Sequence, residues 1–223
     1  MGIRENVHSI LSSLPSHVTL EAAAKTRTPE EIRLAVDAGV TVLGENYLNE
    51  GIAAIEALGR IASWHYIGRL QSSKIRRIVA SFDMVETVDT IKAAERIDAA
   101  ARDLGKVMPI LIEVNSACED QKGGFMPEDT VDAADAILGL GNVSLKGLMT
   151  MGPWSADPES VRPYYSLTKG IFDSIRSRHP CSASFCVLSM GMSASYGVGI
   201  EEGATLVRVG QAIFGPRQQQ GDE

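Results

Sequence analysis

A lysine closes the first apolar run of the chain, Val18-Thr-Leu-Glu-Ala-Ala-Ala-Lys25, and Thr26-Arg27-Thr28-Pro29-Glu30-Glu31 follows at once. These residues predict a strand that stops, a short turn, and a helix that starts with proline and acidic side chains. A neutral lysine amine adds to an aldehyde carbon to give a Schiff base, and burial at a strand end favours the neutral form. Position alone is weak, because most such lysines are solvated or snorkelling. The other end of the chain adds weight. Leu188-Ser189-Met190-Gly191-Met192-Ser193 brings two hydroxyls and a glycine into the start of a helical segment. Arg208-Val209-Gly210-Gln211 brings a glycine past which backbone N–H groups can approach an anion. Singly, Ser193 reads as a helix cap and Gly210 as a packing glycine. Together they favour a phosphorylated ligand. Pyridoxal 5'-phosphate (PLP) fits that pairing, its aldehyde on the lysine and its phosphate on the glycine–serine cradle. A sugar phosphate forming a Schiff base is the alternative that the same chemistry leaves open.

Such residues converge only if the elements between them are arranged correctly. Strand candidates are Val18–Lys25, Val40–Asn46, Trp64–Gly68, Met84–Asp89, Pro109–Asn115, Leu145–Met151, Phe185–Gly191 and Leu206–Phe214. Helical periodicity separates them, over Pro29–Ala38, Tyr47–Gly59, Lys74–Phe82, Thr90–Leu104, Glu128–Leu140, Glu159–Arg178 and Ala194–Gly203, and Arg4–Leu14 precedes the first strand. Strand–helix alternation predicts parallel strands with helical crossovers, and eight units in this length is the count of an α/β (β/α)8 TIM-type barrel. An open doubly wound sheet is disfavoured, since no Gly-x-Gly-x-x-Gly follows the first strand. No Gly/Ser-rich or Pro-rich linker interrupts the chain, so residues 1–223 are expected to form one cofactor-binding domain, with a frayed tail over 216–223. In a closed barrel strand 1 pairs with strand 8, which makes Lys25 a neighbour of Arg208 and Gly210.

The bulk properties narrow the function classes. A net charge of -7 and a pI near 5.2 without a basic stretch argue against a nucleic-acid partner. Three cysteines (Cys118, Cys181, Cys186) with no Cys-x-x-Cys spacing predict a reduced cytoplasmic protein without disulfides or structural zinc. No His/Cys/Asp cluster has metal-ligand spacing, so no metal is expected. No signal peptide or membrane span is visible.

The chain resembles the YggS/PROSC family of PLP-binding homeostasis proteins, relatives of the amino-terminal barrel of alanine racemase. The likeness rests on Ala24-Lys25-Thr26, Gly44-Glu45-Asn46-Tyr47, Trp64-His65-Tyr66-Ile67-Gly68, Leu70-Gln71-Ser72, Gly147-Leu148-Met149, Leu188 to Ser193, and Val207-Arg208-Val209-Gly210 with Ala212-Ile213-Phe214-Gly215. The resemblance implies Lys25 as the Schiff-base lysine, and Ser193 with the backbone at Gly210 and Gln211 as the phosphate holders. It implies Arg208 against the pyridine nitrogen, Asn46 close to the ring, and His65 and Met190 on the same face. Arg69, Ser73 and Gln211 depart from the family pattern; Gln211 in place of a hydroxyl residue points to a backbone N–H contact there.

An arginine partner has chemical consequences. It remains protonated, so it donates to an unprotonated pyridine nitrogen and leaves the ring a weak electron sink. Racemisation would also need a second acid/base opposite Lys25; Tyr47, Tyr66 and Tyr196 are the tyrosines in question. The expectation is therefore a monomeric, non-catalytic PLP carrier in vitamin B6 homeostasis that delivers the cofactor to apo-enzymes, with a low-activity amino-acid racemase as the alternative.

Overall fold

The computed structural model describes residues 2–153, 155, 157–179 and 184–216. Its strands are β1 (Thr19–Ala23), β2 (Val42–Glu45), β3 (Ser63–Tyr66), β4 (Met84–Val88), β5 (Met108–Glu113), β6 (Val143–Met149), β7 (Val187–Ser189) and β8 (Leu206–Val209). All pair in parallel and in chain order, and β1 closes against β8. The helices are α1 (Ile3–Ser13), α2 (Pro29–Asp37), α3 (Leu48–Leu58), α4 (Ile75–Ser81), α5 (Ile91–Asp103), α6 (Thr130–Leu138), α7 (Arg162–Arg178), α8 (Tyr196–Glu201) and α9 (Gln211–Phe214). This is a TIM-type (β/α)8 barrel with an additional helix, α1, before the first strand.

The strands read as near-continuous apolar runs because both their faces are covered, one by the barrel interior and one by helices. α5 shows the complementary helical pattern, burying Ala93, Ala94, Ile97, Ala100 and Ala101 along one stripe. α2 starts where Thr28 and Glu31 cap each other: the Glu31 amide donates to Thr28 Oγ1 at 3.3 Å, and the Thr28 amide donates to Glu31 Oε2 at 2.9 Å. That capping box anchors the far side of the turn that carries Lys25.

Several boundaries differ from the sequence reading. β8 stops at Val209, short of the expected Phe214, because Gly210 turns the chain into the single helical turn of α9. β1 stops at Ala23, and Thr26 adopts the left-handed φ of +64°. Lys25 therefore stands on a turn beyond the strand end. β7 is only Val187–Ser189, ending before Gly191 at φ +97°. Among the cysteines, Cys118 and Cys186 are free and exposed; Cys181 and the tail beyond Pro216 lie outside the described residues.

Candidate cofactor site

The carboxyl ends of the strands open onto a cavity of about 500 Å³ lined by Lys25, Asn46, Ser193, Arg208, Gly210 and Gln211 among others. That volume falls in the usual small-molecule range of about 300–1,000 Å³. The remaining two residues that the resemblance put on this face are placed elsewhere. His65 turns into the barrel interior, where its Nδ1 lies 2.7 Å from Glu86 Oε1. Met190 is fully buried in the core, and Met192, two residues on, forms the cavity wall. For His65 the cause is side-chain alternation along β3, which turns it inward beside Glu86.

Local bonds hold the lining residues. The Thr26 amide donates to Glu50 Oε2 at 3.0 Å, tying the Lys25 turn to α3. Asn46 Nδ2 donates to the Ile67 carbonyl at 3.2 Å, while its Oδ1 is buried without a partner. The Asn46 backbone is pressed against Gly68, where an added Cβ would lie 1.9 Å from the Asn46 carbonyl oxygen. Backbone cannot yield that far cheaply. Gly68→Ala is therefore expected to destabilise the protein by about 2–3 kcal/mol, the scale of overpacking, and to displace Asn46. Urea unfolding checks the first, and a backbone amide shift at Asn46 the second.

At the opposite wall the amides of Gly210 and Ala212 both donate to Ser193 Oγ, at 3.2 and 3.3 Å. Two amides and a hydroxyl thus meet at one point beside Gln211, the donor set that an anion uses. A Cβ at position 210 would press within 3.2 Å of the Ala23 carbonyl, so the β1–β8 approach favours glycine there.

Arg208 connects the cavity to the barrel interior. It is 5% exposed; its Nη2 donates to the Thr150 carbonyl at 2.8 Å and its Nη1 to Ser189 Oγ. Ser189 in turn donates to Glu86 Oε2 at 2.7 Å. Burial alone would raise the Glu86 carboxyl, but the His65 contact, Arg208 and Ser189 outweigh it and hold the group below its ordinary range. Glu21 behaves oppositely. Burial and the adjacent Glu86, through its charge and a shared hydrogen bond, push it well above the ordinary carboxyl range, with Arg208 opposing. Glu21, His65 and Glu86 bring one ligand-type atom each within 4.8 Å of one another, a grouping that linear spacing hid. With Glu21 neutral and Arg208 supplying the cation, the arrangement is that of a proton-holding cluster.

Two more carboxyls sit at the barrel mouth. Burial, then the Asp89 charge, raises Glu113 to about 7, against Arg208, Arg69 and Lys122. Burial likewise raises Asp89. Tyr47, Tyr66 and Tyr196 do not line the cavity: Tyr47 is 52% exposed, and the Tyr66 hydroxyl donates to the Arg69 carbonyl.

The residues present fit PLP on the structure's own terms. A lysine, an arginine whose guanidinium is held by the barrel interior, a buried Asn46 oxygen lacking a partner, and an amide–hydroxyl cradle share one wall system of suitable size. Fold and site together define a TIM-type barrel whose mouth gathers a lysine, an anchored arginine and an amide–hydroxyl cradle around one cavity. The alanine racemase N-terminal domain model matches residues 2–218. A pyridoxal phosphate homeostasis protein of Aquifex aeolicus is 38% identical over 200 residues, 89% of this chain and 87% of its own length. PipY of Synechococcus elongatus, solved with PLP bound, superposes with a TM-score of 0.87 at 31% identity, covering 96% of this chain and all of that one. Alanine racemase of Clostridium difficile shares the fold, with a TM-score of 0.81 at 18% identity; the likeness covers 98% of this chain and 57% of the racemase chain. The chain belongs to the pyridoxal phosphate homeostasis protein family, within the alanine racemase N-terminal domain class.

Proposed function

We propose that this protein binds PLP through a Schiff base on Lys25 and serves PLP homeostasis by holding and releasing the cofactor without turnover. The observation that carries the reading is Arg208. Its guanidinium lines the cavity while bonded to Ser189 and the Thr150 carbonyl, so it presents a permanent donor to the bound ring. PLP supplies an electron-withdrawing ring when bound, and an arginine at its nitrogen keeps that withdrawal weak. Lys25 would carry the covalent bond, Ser193 with the Gly210 and Ala212 amides would hold the phosphate, and Asn46 would lie by the ring. Among the described residues no tyrosine lines the cavity, which supports a carrier over a racemase.

The reading extends to a single-domain monomer in the cytoplasm that passes PLP to apo-enzymes. Among the described residues no helix is long and apolar enough to cross a membrane. Titration with PLP tests the proposal: a visible band that borohydride bleaches is expected, and its absence overturns the reading. In Ser193→Ala the cradle loses its hydroxyl. Loss of one charge-assisted hydrogen bond, about 1.5–3 kcal/mol, is expected to weaken PLP binding by roughly tenfold to a hundredfold. Competition by inorganic phosphate should weaken in parallel.

A further inference from the structure

Glu45 is a buried carboxyl beside Lys25 that the proposed function leaves without a task. It ends β2, is 2% exposed, and its Oε2 has no hydrogen-bond partner. Alternation along β2 turns it away from the barrel axis. An added Cβ at Gly44 would meet Glu21 in the interior, whereas Glu45 faces α3, its Cβ 3.3 Å from the place a Gly51 side chain would start.

The groups around it are few and come from four directions. Ala23 is in register with Gly44, and the Ala24 amide donates to the Gly44 carbonyl at 2.8 Å, so the Lys25 turn stands directly over the end of β2. From α3 comes Glu50, whose carboxylate accepts the Thr26 amide. From β3, Tyr66 is in register with Glu45 but donates its hydroxyl to the Arg69 carbonyl. From the end of α4 comes the ring of its C-cap residue Phe82, packed over Gly51. Lys25 is thus the cation that opposes the two carboxylates. Burial, then Glu50, raises Glu45 to about 8, with the Asn46 amide and Lys25 pulling the other way.

We propose that Glu45 is the proton partner of Lys25, and that its ionisation governs how much of the Lys25 amine is available to bond with an aldehyde. Where Glu45 is ionised, an N–H bond of the ammonium breaks, an O–H bond forms on Glu45, and nitrogen keeps the electron pair; where Glu45 is already neutral, the ammonium proton passes to water instead. That pair makes the bond to the aldehyde carbon, and the carbonyl oxygen leaves as water with the two protons of the amine; release runs in reverse. While Glu45 is neutral, each unit rise in pH frees about ten times more amine. Once Glu45 ionises, its charge holds the Lys25 proton and the rise flattens. Near neutrality the carboxyl is neutral, so Glu45 itself adds no charge that holds Lys25 against capture or release.

The inference rests on Lys25 being the cofactor-bonding lysine, but its test uses the protein without PLP. Acetic anhydride pulses between pH 6.5 and 9.5, read by peptide mass spectrometry, give the acetylation rate of Lys25 relative to exposed Lys92. In the wild type that ratio is expected to hold to about pH 8 and to fall about tenfold by pH 9. In Glu45→Gln it should stay level over the same range. A bend that persists in Glu45→Gln, or is missing from the wild type, overturns the inference. If Glu45→Gln does not fold, Glu50→Gln decides, since removing the like charge should move the bend to lower pH; an unmoved bend is the overturning result. A bend without a PLP band would strike the proposed function and spare this inference, and a band without a bend the reverse.

Discussion

Lys25→Ala is expected to lose all covalent attachment of PLP while keeping part of its non-covalent affinity. The phosphate cradle at Ser193, Gly210 and Ala212 and the guanidinium of Arg208 stand on other elements, β7–α8 and β8–α9, and are held by bonds among themselves and to Thr150. The cofactor should still enter the cavity, yet no nitrogen is left at the end of β1 to bond with its aldehyde. After borohydride the wild type should carry the cofactor mass on the peptide containing Lys25, and the variant should carry none. Retention through dialysis should drop on the order of a hundredfold or more, the scale of about 2.7 kcal/mol. Lys25→Arg separates covalence from charge: it restores a cation to the turn but cannot form the bond, so it should behave like alanine in the reduction and bind somewhat more tightly. Cofactor mass appearing on Lys122, the lysine at the other side of the barrel mouth, would move the site away from Lys25.

The barrel was legible because parallel strands covered on both faces leave apolar runs, and the runs here alternate with helical stripes over the full described length. The errors fall where a glycine ends a strand that hydrophobicity would continue: Ala212, Ile213 and Phe214 look like strand 8 but form a turn of helix after Gly210. Lys25, Asn46, Ser193, Arg208, Gly210 and Gln211 were recoverable because barrels gather such residues at the carboxyl ends of strands. His65 and Met190 were not, since which side of a strand a residue faces depends on register. Glu21 and Glu86 were missed for another reason. Each is a lone carboxyl in an apolar run, and only barrel closure brings them together with His65 and Arg208. A charge inside a run destined for burial was itself the signal, and Glu21 in the first strand carried it.

These two carboxyls should respond to mutation in opposite ways. Glu86→Ala removes the carboxylate that accepts from Ser189 and contacts His65, leaving Arg208 in a buried site without the anion it reaches through Ser189. Breaking a buried charged network by deleting one partner typically costs about 3–5 kcal/mol, a large share of the stability of a single domain. The urea midpoint should fall steeply with the slope unchanged. Because Glu86 is held below its ordinary range, its contribution is present above the unfolded pKa and is lost as pH falls through the folded value. The gap between wild type and variant should therefore shrink on acidification. Glu21 is raised, so the unfolded chain binds fewer protons there than the fold does above the ordinary carboxyl range, and stability falls as pH rises. Glu21→Gln removes that titration while keeping shape and polarity. It should flatten the decline in stability between pH 5 and 8 and leave the protein more stable than wild type at the upper end, as measured by urea unfolding across that range. If Glu21→Gln instead loses stability equally at every pH, Glu21 is held in the barrel by a contact its carboxylate makes, and the neutral assignment fails.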